Sequence, residues 1–67
     1  MISVTINGEA REVPAEIRLD QMLELFSLPR QRIAVELNNG VVRRTDWPDT
    51  IVREGDKVEV VHFVGGG

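Results

Sequence analysis

Cysteine is absent from this 67-residue chain, so disulfides, cysteine metal sites and thiol catalysis are all excluded. Tyrosine is absent too, leaving one tryptophan and two phenylalanines. No apolar run approaches the roughly 20 residues that cross a bilayer, and none reads as a secretory segment. A cytoplasmic protein with no membrane association is the expectation. An excess of positive charge is missing as well: eight Lys and Arg stand against eleven Asp and Glu, for a formal charge of −3. A general nucleic-acid binder needs a basic face, and the only basic clusters, Arg43-Arg44 and Arg30 with Arg32, read as solvated loop ends. No phosphate-binding glycine loop, dinucleotide fingerprint or metal-ligand spacing occurs. The single histidine, His62, lies in an alternating stretch with no nucleophile motif around it. Asp46 and Asp49, like Glu54 and Asp56, fall in turn-type sequence, where acids stabilise local backbone. No catalytic residue, metal ligand or bound cofactor is therefore assigned, and the chain is not expected to be an enzyme.

What is present is one small domain. A chain of about 60 residues buries only roughly 60% of the surface that its unfolded form exposes, so each apolar residue counts. Ile2, Val4 and Ile6 alternate with Ser3 and Thr5, the period of a half-buried strand. Asn7-Gly8 follows, a hairpin signal because both central residues of a type I′ turn need positive φ. The return strand, residues 10–13, carries Arg11 and Glu12 and stops at Pro14, as an edge strand would. A two-residue loop pairs Ile6 with Glu9, whereas a longer loop would exchange the faces. Leu19, Met22, Leu23 and Phe26 form one apolar helical stripe, with Ile17 and Leu28 placed to close its ends. No good N-cap precedes it, Asp20 suits its first turn, and Pro29 is expected to stop it. Residues 32–38 alternate again, Asn39-Gly40 marks a second turn, and Val41-Val42 form a short strand. Residues 43–50 read as a loop anchored by Trp47, with Ile51 as a packing partner. Glu54-Gly55-Asp56 is a turn, and residues 57–63 are the last strand.

A hairpin, a single helix and then further strands make a two-layer α+β domain. The last strand buries Val58 and Val60 under the helix only by inserting beside the first, parallel to it in the sheet centre. That arrangement is the β-grasp, or ubiquitin-like, fold: a mixed sheet of four to five strands with one main helix on one face. Residues 1–63 form the domain and residues 64–67 a flexible glycine tail. With Val58 and Val60 turned inward, Val61 and Phe63 share the open face with Lys57 and Glu59, and two large apolar residues there read as a partner-docking patch. The alternatives are that Phe63 folds over the core edge or that a bulge resets the register.

Three terminal glycines lose the most entropy on ordering and offer nothing to pack. They read either as a frayed end or as a reactive one. In the second case the Gly67 carboxylate is the functional group, and Val64, Gly65 and Gly66 thread it into a partner's active site. Four residues extend at most about 13–14 Å.

Ile2-x-Val4-x-Ile6-Asn7-Gly8, the helix 19–26, residues 33–38 with Gly40-Val41-Val42, Arg44-x-x-Trp47, Gly55-Asp56-Lys57-Val58-Glu59 and Gly66-Gly67 together resemble the ThiS family over the whole chain. The Gly-Asp turn and Gly-Gly end specify the wider group of β-grasp carriers; the Arg-x-x-Trp loop and the length point to ThiS. Gly65 before the terminal pair is a departure that leaves the chemistry intact. The resemblance implies a sulfur carrier for the thiazole of thiamine. A ThiF-like enzyme would adenylate Gly67 using ATP and magnesium, a persulfide or equivalent sulfur donor would displace AMP, and a ThiG-like synthase would accept sulfur from the resulting thiocarboxylate. The same chemistry in a MoaD-like subunit for molybdopterin, or in carriers for tRNA thiolation or cysteine synthesis, remains an alternative. So do a ubiquitin-like modifier and a plain interaction domain.

Overall fold

The alternating N-terminal stretch folds as β1 (Ile2–Ile6) and returns as β2 (Glu9–Val13) in a computed structural model describing residues 1–29 and 31–63. Ile6 pairs with Glu9 and Ile2 with Val13, so the two-residue loop is the register adopted. Asn7 and Gly8 have φ of 51° and 84°, the positive pair that a type I′ turn requires. Val4, Ile6 and Val13 are buried on one face. The charges of β2 lie at the sheet edge, where Arg11 bonds Glu9 at 2.8 Å.

Helix α1 (Leu19–Leu25) lays Leu19, Met22 and Leu23 fully into the core, while Phe26 and Leu28 are partly buried at its margin. At the start, Arg18 makes no side-chain cap bond, as the sequence suggests, while Gln21 Oε1 accepts the Arg18 N–H at 3.0 Å. The other end differs from the sequence expectation. At the finish the helix stops before Pro29 comes into play. Ser27 takes φ of 56°, and the Ser27 and Leu28 N–H groups donate to Glu24 and Leu23 carbonyls at 3.0 and 2.8 Å. That is a Schellman closure with serine where glycine is usual.

Strand β3 (Ile33–Leu37) turns into β4 (Gly40–Val42). The turn residues are Asn38 and Asn39, at φ of 51° and 74°, rather than Asn39-Gly40; Gly40 is already in the strand, opposite Leu37. Two asparagines tolerate the left-handed region well enough to make this turn. The stretch expected as a loop contains a 3₁₀ helix, Arg44–Asp49, held by i→i+3 bonds from Asp46 N–H to Arg43 and from Thr50 N–H to Trp47. Its anchor is Trp47, 2% exposed, whose indole N–H donates to the Val42 carbonyl at 3.0 Å. Arg44 covers the ring at 5.4 Å, a cation–π contact. Ile51, half-buried, bridges antiparallel to Arg18, tying this connection to the start of the helix.

Strand β5 (Lys57–His62) completes a five-stranded sheet in the order β2-β1-β5-β3-β4. It runs parallel to β1 and antiparallel to β3. This is the β-grasp arrangement, with the helix on one face. No helix among the described residues is long and apolar enough to cross a membrane.

Candidate functional site

The site is built on β5, which is clamped at its base. Gly55, at φ of 83°, has open space where a Cβ would stand, so its conformation and not crowding calls for glycine. Its N–H reaches the Ser3 carbonyl at 2.7 Å, and the Asp56 carbonyl accepts the Thr5 N–H at 3.0 Å. The Asp56 carboxylate accepts the Arg53 N–H at 2.8 Å and the Asn38 side-chain amide at 3.0 Å. Asn38 in turn accepts the Lys57 N–H through Oδ1 at 2.9 Å. One turn thus locks β5 to β1 on one side and to the β3–β4 hairpin on the other.

Above that base the strand has two different faces. Val58 and Val60 are 0% and 7% exposed beneath the helix, whereas Val61 and Phe63 are 54% and 48% exposed. The burial alternation holds through Val61, beyond which His62 and Phe63 are both exposed. The pairing with β3 continues in register to His62 without a bulge, and Phe63 is not folded over the core edge. Val61 lies directly opposite Ala34, and the Phe63 N–H donates to the Arg32 carbonyl at 2.9 Å. Val41, 70% exposed, pairs with Glu36 and so shares this outer face. Val41 and Ala34 extend the patch beyond the two residues read from sequence. Val41 was legible in principle: once the turn is placed at Asn38-Asn39, period-2 counting puts it on the outer side.

Asn7 has a second role that its turn signature concealed. Its Oδ1 accepts the Val60 N–H at 2.7 Å, while its own N–H donates to Val58 at 2.9 Å. The side chain thereby extends the β1–β5 pairing one step past the point where β1 turns away. His62 is exposed at the end of β5. No group of three or more acids or histidines placed to hold a metal occurs among the described residues. Gly67, with Val64, Gly65 and Gly66, lies outside the described residues. They follow Phe63 directly in sequence.

Residues 4–67 match the ThiS family. The sulfur carrier protein ThiS of Thermus thermophilus is 36% identical over 64 residues, covering 96% of this chain and 98% of that protein. The thiazole synthase of Paramagnetospirillum magneticum is 33% identical over 66 residues, covering 98% of this chain, which spans only 20% of the length of that enzyme. Among solved structures, the crystal structure of the thiamine biosynthesis protein ThiS from Geobacter metallireducens superposes with a TM-score of 0.87 at 30% identity, covering 98% of this chain and 100% of that one.

Proposed function

This chain belongs to the ThiS family, and from that premise we propose that it carries sulfur for the thiazole ring of thiamine on its C-terminal Gly67. The observation that carries the reading is the extent of the family match, which runs through the central strand to the final glycine. The body suits this role because it holds the strand leading to the terminus rigidly and keeps an apolar face beside it uncovered.

The chemistry follows from the terminal group. A carboxylate resists nucleophiles, so it must first be activated. An adenylating partner of the ThiF type transfers AMP from ATP, with magnesium, to the Gly67 carboxylate and releases pyrophosphate. A persulfide sulfur then attacks the acyl carbon and AMP leaves. Cleavage of the resulting S–S bond by a second thiol frees a Gly67 thiocarboxylate, the thiol sulfur being oxidised to disulfide. Val64, Gly65 and Gly66 place that end within the partner's catalytic centre, and Val61 and Phe63 dock the body; docking turns the transfer into an effectively intramolecular step. A thiazole synthase of the ThiG type is the acceptor. Supporting this, sequence similar to the whole chain occupies part of a thiazole synthase polypeptide, an arrangement that keeps carrier and acceptor together. The reading takes the carrier to act in the cytoplasm, where ATP is available to the adenylating partner.

Intact-mass measurement after incubation with a ThiF-type enzyme, ATP and a sulfur source tests the reading. A gain equal to one oxygen-to-sulfur exchange, located at Gly67, is expected. Covalent ladders on target proteins would instead mark a modifier, and an unchanged mass would reject the carrier assignment. Growth rescue of thiazole and molybdopterin auxotrophs then identifies the product.

A further inference from the structure

We propose that the enzyme acting on Gly67 adds an extended segment of its own backbone to the sheet, along the edge of β5 that β1 leaves uncovered. This rests on the carrier reading and specifies how the carrier is held.

The hydrogen-bonding directions along β5 are set by its neighbours. The Lys57 carbonyl accepts from Asn38 and the Phe63 N–H donates to Arg32, so the odd-numbered residues exchange bonds with β3. The Val58 carbonyl accepts from Asn7 and the Val60 N–H donates to the Asn7 side chain, so the even-numbered residues point toward β1. Pairing with β1, however, reaches only Ile6 opposite Val58, and Asn7 extends it to the Val60 N–H. The Val60 carbonyl and both backbone groups of His62 point past the end of β1, where no strand lies among the described residues. An unpaired row of this kind is a template for strand addition.

Three features select the occupant. The row is only three groups long, too short to hold a second copy of the chain by itself, so whatever pairs here must be bound elsewhere too. The carboxylate-processing enzyme is so bound, through the Val61 and Phe63 face and through the terminus, which follows this edge in the chain. Asn7, at the end of the row, also lines a groove with Ile6, Phe26 and Leu28, so an apolar side chain on the incoming segment has a seat. Bonds on both sides of β5 would then fix the direction in which residues 64–67 leave the body.

The test uses the full chain and an adenylating enzyme shown to load Gly67. Proline at position 62 removes the outward N–H, for which no partner occurs among the described residues, and its ring stands where the added strand would lie. Relative to His62→Ala, which controls for loss of the imidazole, His62→Pro should weaken enzyme binding by about ten- to a hundredfold with a melting temperature within about 2 °C. Equal affinity of the two variants overturns the proposal. Backbone hydrogen exchange on the wild-type chain decides it independently of folding: the His62 amide should exchange freely alone and become protected in the complex. An amide open in the complex, or already protected in the free chain, overturns the proposal, and concentration-dependent protection without enzyme would assign the edge to a second copy. If no enzyme loads Gly67, the carrier reading itself has failed.

Discussion

The two faces of β5 share one backbone, one set of neighbours and alternating residues, yet they do opposite things. Val58 and Val60 vanish beneath the helix, while Val61 and Phe63 stand in solvent with Ala34 and Val41 beside them. An apolar side chain contributes to stability chiefly by leaving water, so the inner pair makes the fold and the outer group is spare. Under the proposed function, spare apolar surface suits a carrier, because it can meet several enzymes without disturbing its own core.

The sharpest way to break this contrast is to place the same charge on each face. Val58→Asp buries a carboxylate with no partner, at a cost of several kcal/mol. A chain this short has only about 3–10 kcal/mol in total. Circular dichroism should show an unfolded chain at 25 °C. Val61→Asp and Phe63→Asp should leave the thermal transition within about 2–4 °C and instead lower affinity for the adenylating enzyme by about ten- to a hundredfold. Unfolding by Val61→Asp would erase the distinction between the faces.

Next in size is Trp47→Ala, which removes the largest side chain of the inner layer. Truncation of a buried aromatic costs about 3–5 kcal/mol, and the Val42 carbonyl loses its donor. The urea midpoint should fall steeply, while whatever fraction stays folded binds the enzyme as the native chain does. Trp47→Phe should recover most of that loss but not the hydrogen bond.

These contrasts were mostly legible in the sequence, for a physical reason. Period-2 alternation sorts β5 into faces without reference to anything distant, and the need to cover Val58 and Val60 forces the strand into the sheet centre. The Asn7-Gly8 turn fixed its own register because positive φ at two adjacent residues leaves few choices. Asn38-Asn39-Gly40 is ambiguous by the same rule: each residue tolerates positive φ, so the turn's position depends on pairing with β5 that local sequence does not reveal. The 3₁₀ helix at Arg44–Asp49 escaped because its bonds are local but its reason is tertiary: Trp47 must reach both the core and the Val42 carbonyl. Asn7 reaching Val60, 53 residues away, leaves no local trace at all.

Smaller effects sharpen the comparison by separating stability from recognition. Asp56→Ala removes the acceptor of both the Arg53 N–H and the Asn38 amide, and loss of the two bonds should cost about 1–3 kcal/mol. The clamp lies at the opposite end of β5 from Phe63. Under conditions where the variant is folded, its affinity for the adenylating enzyme should therefore match that of the native chain. A loss of affinity without a loss of stability would place the clamp in the partner interface.

The smallest change should act in the favourable direction. Ser27 is exposed and closes the helix at φ of 56°, where a side chain costs about 1–2 kcal/mol of backbone strain. Ser27→Gly relieves that strain, but it also loosens the unfolded chain, which offsets about 0.5–1 kcal/mol. The difference should be a net gain of about 0.5 kcal/mol, or a rise of about 2–4 °C in melting temperature. Ser27 does not itself line the groove formed with Asn7 by Ile6, Phe26 and Leu28, and glycine keeps the backbone conformation it closes with, so the more stable chain should load sulfur at an unchanged rate and bind its enzymes with unchanged affinity. If recognition weakened together with the strain, the serine side chain itself would belong to the interface, and the partner would reach past the groove onto the loop between Phe26 and Leu28.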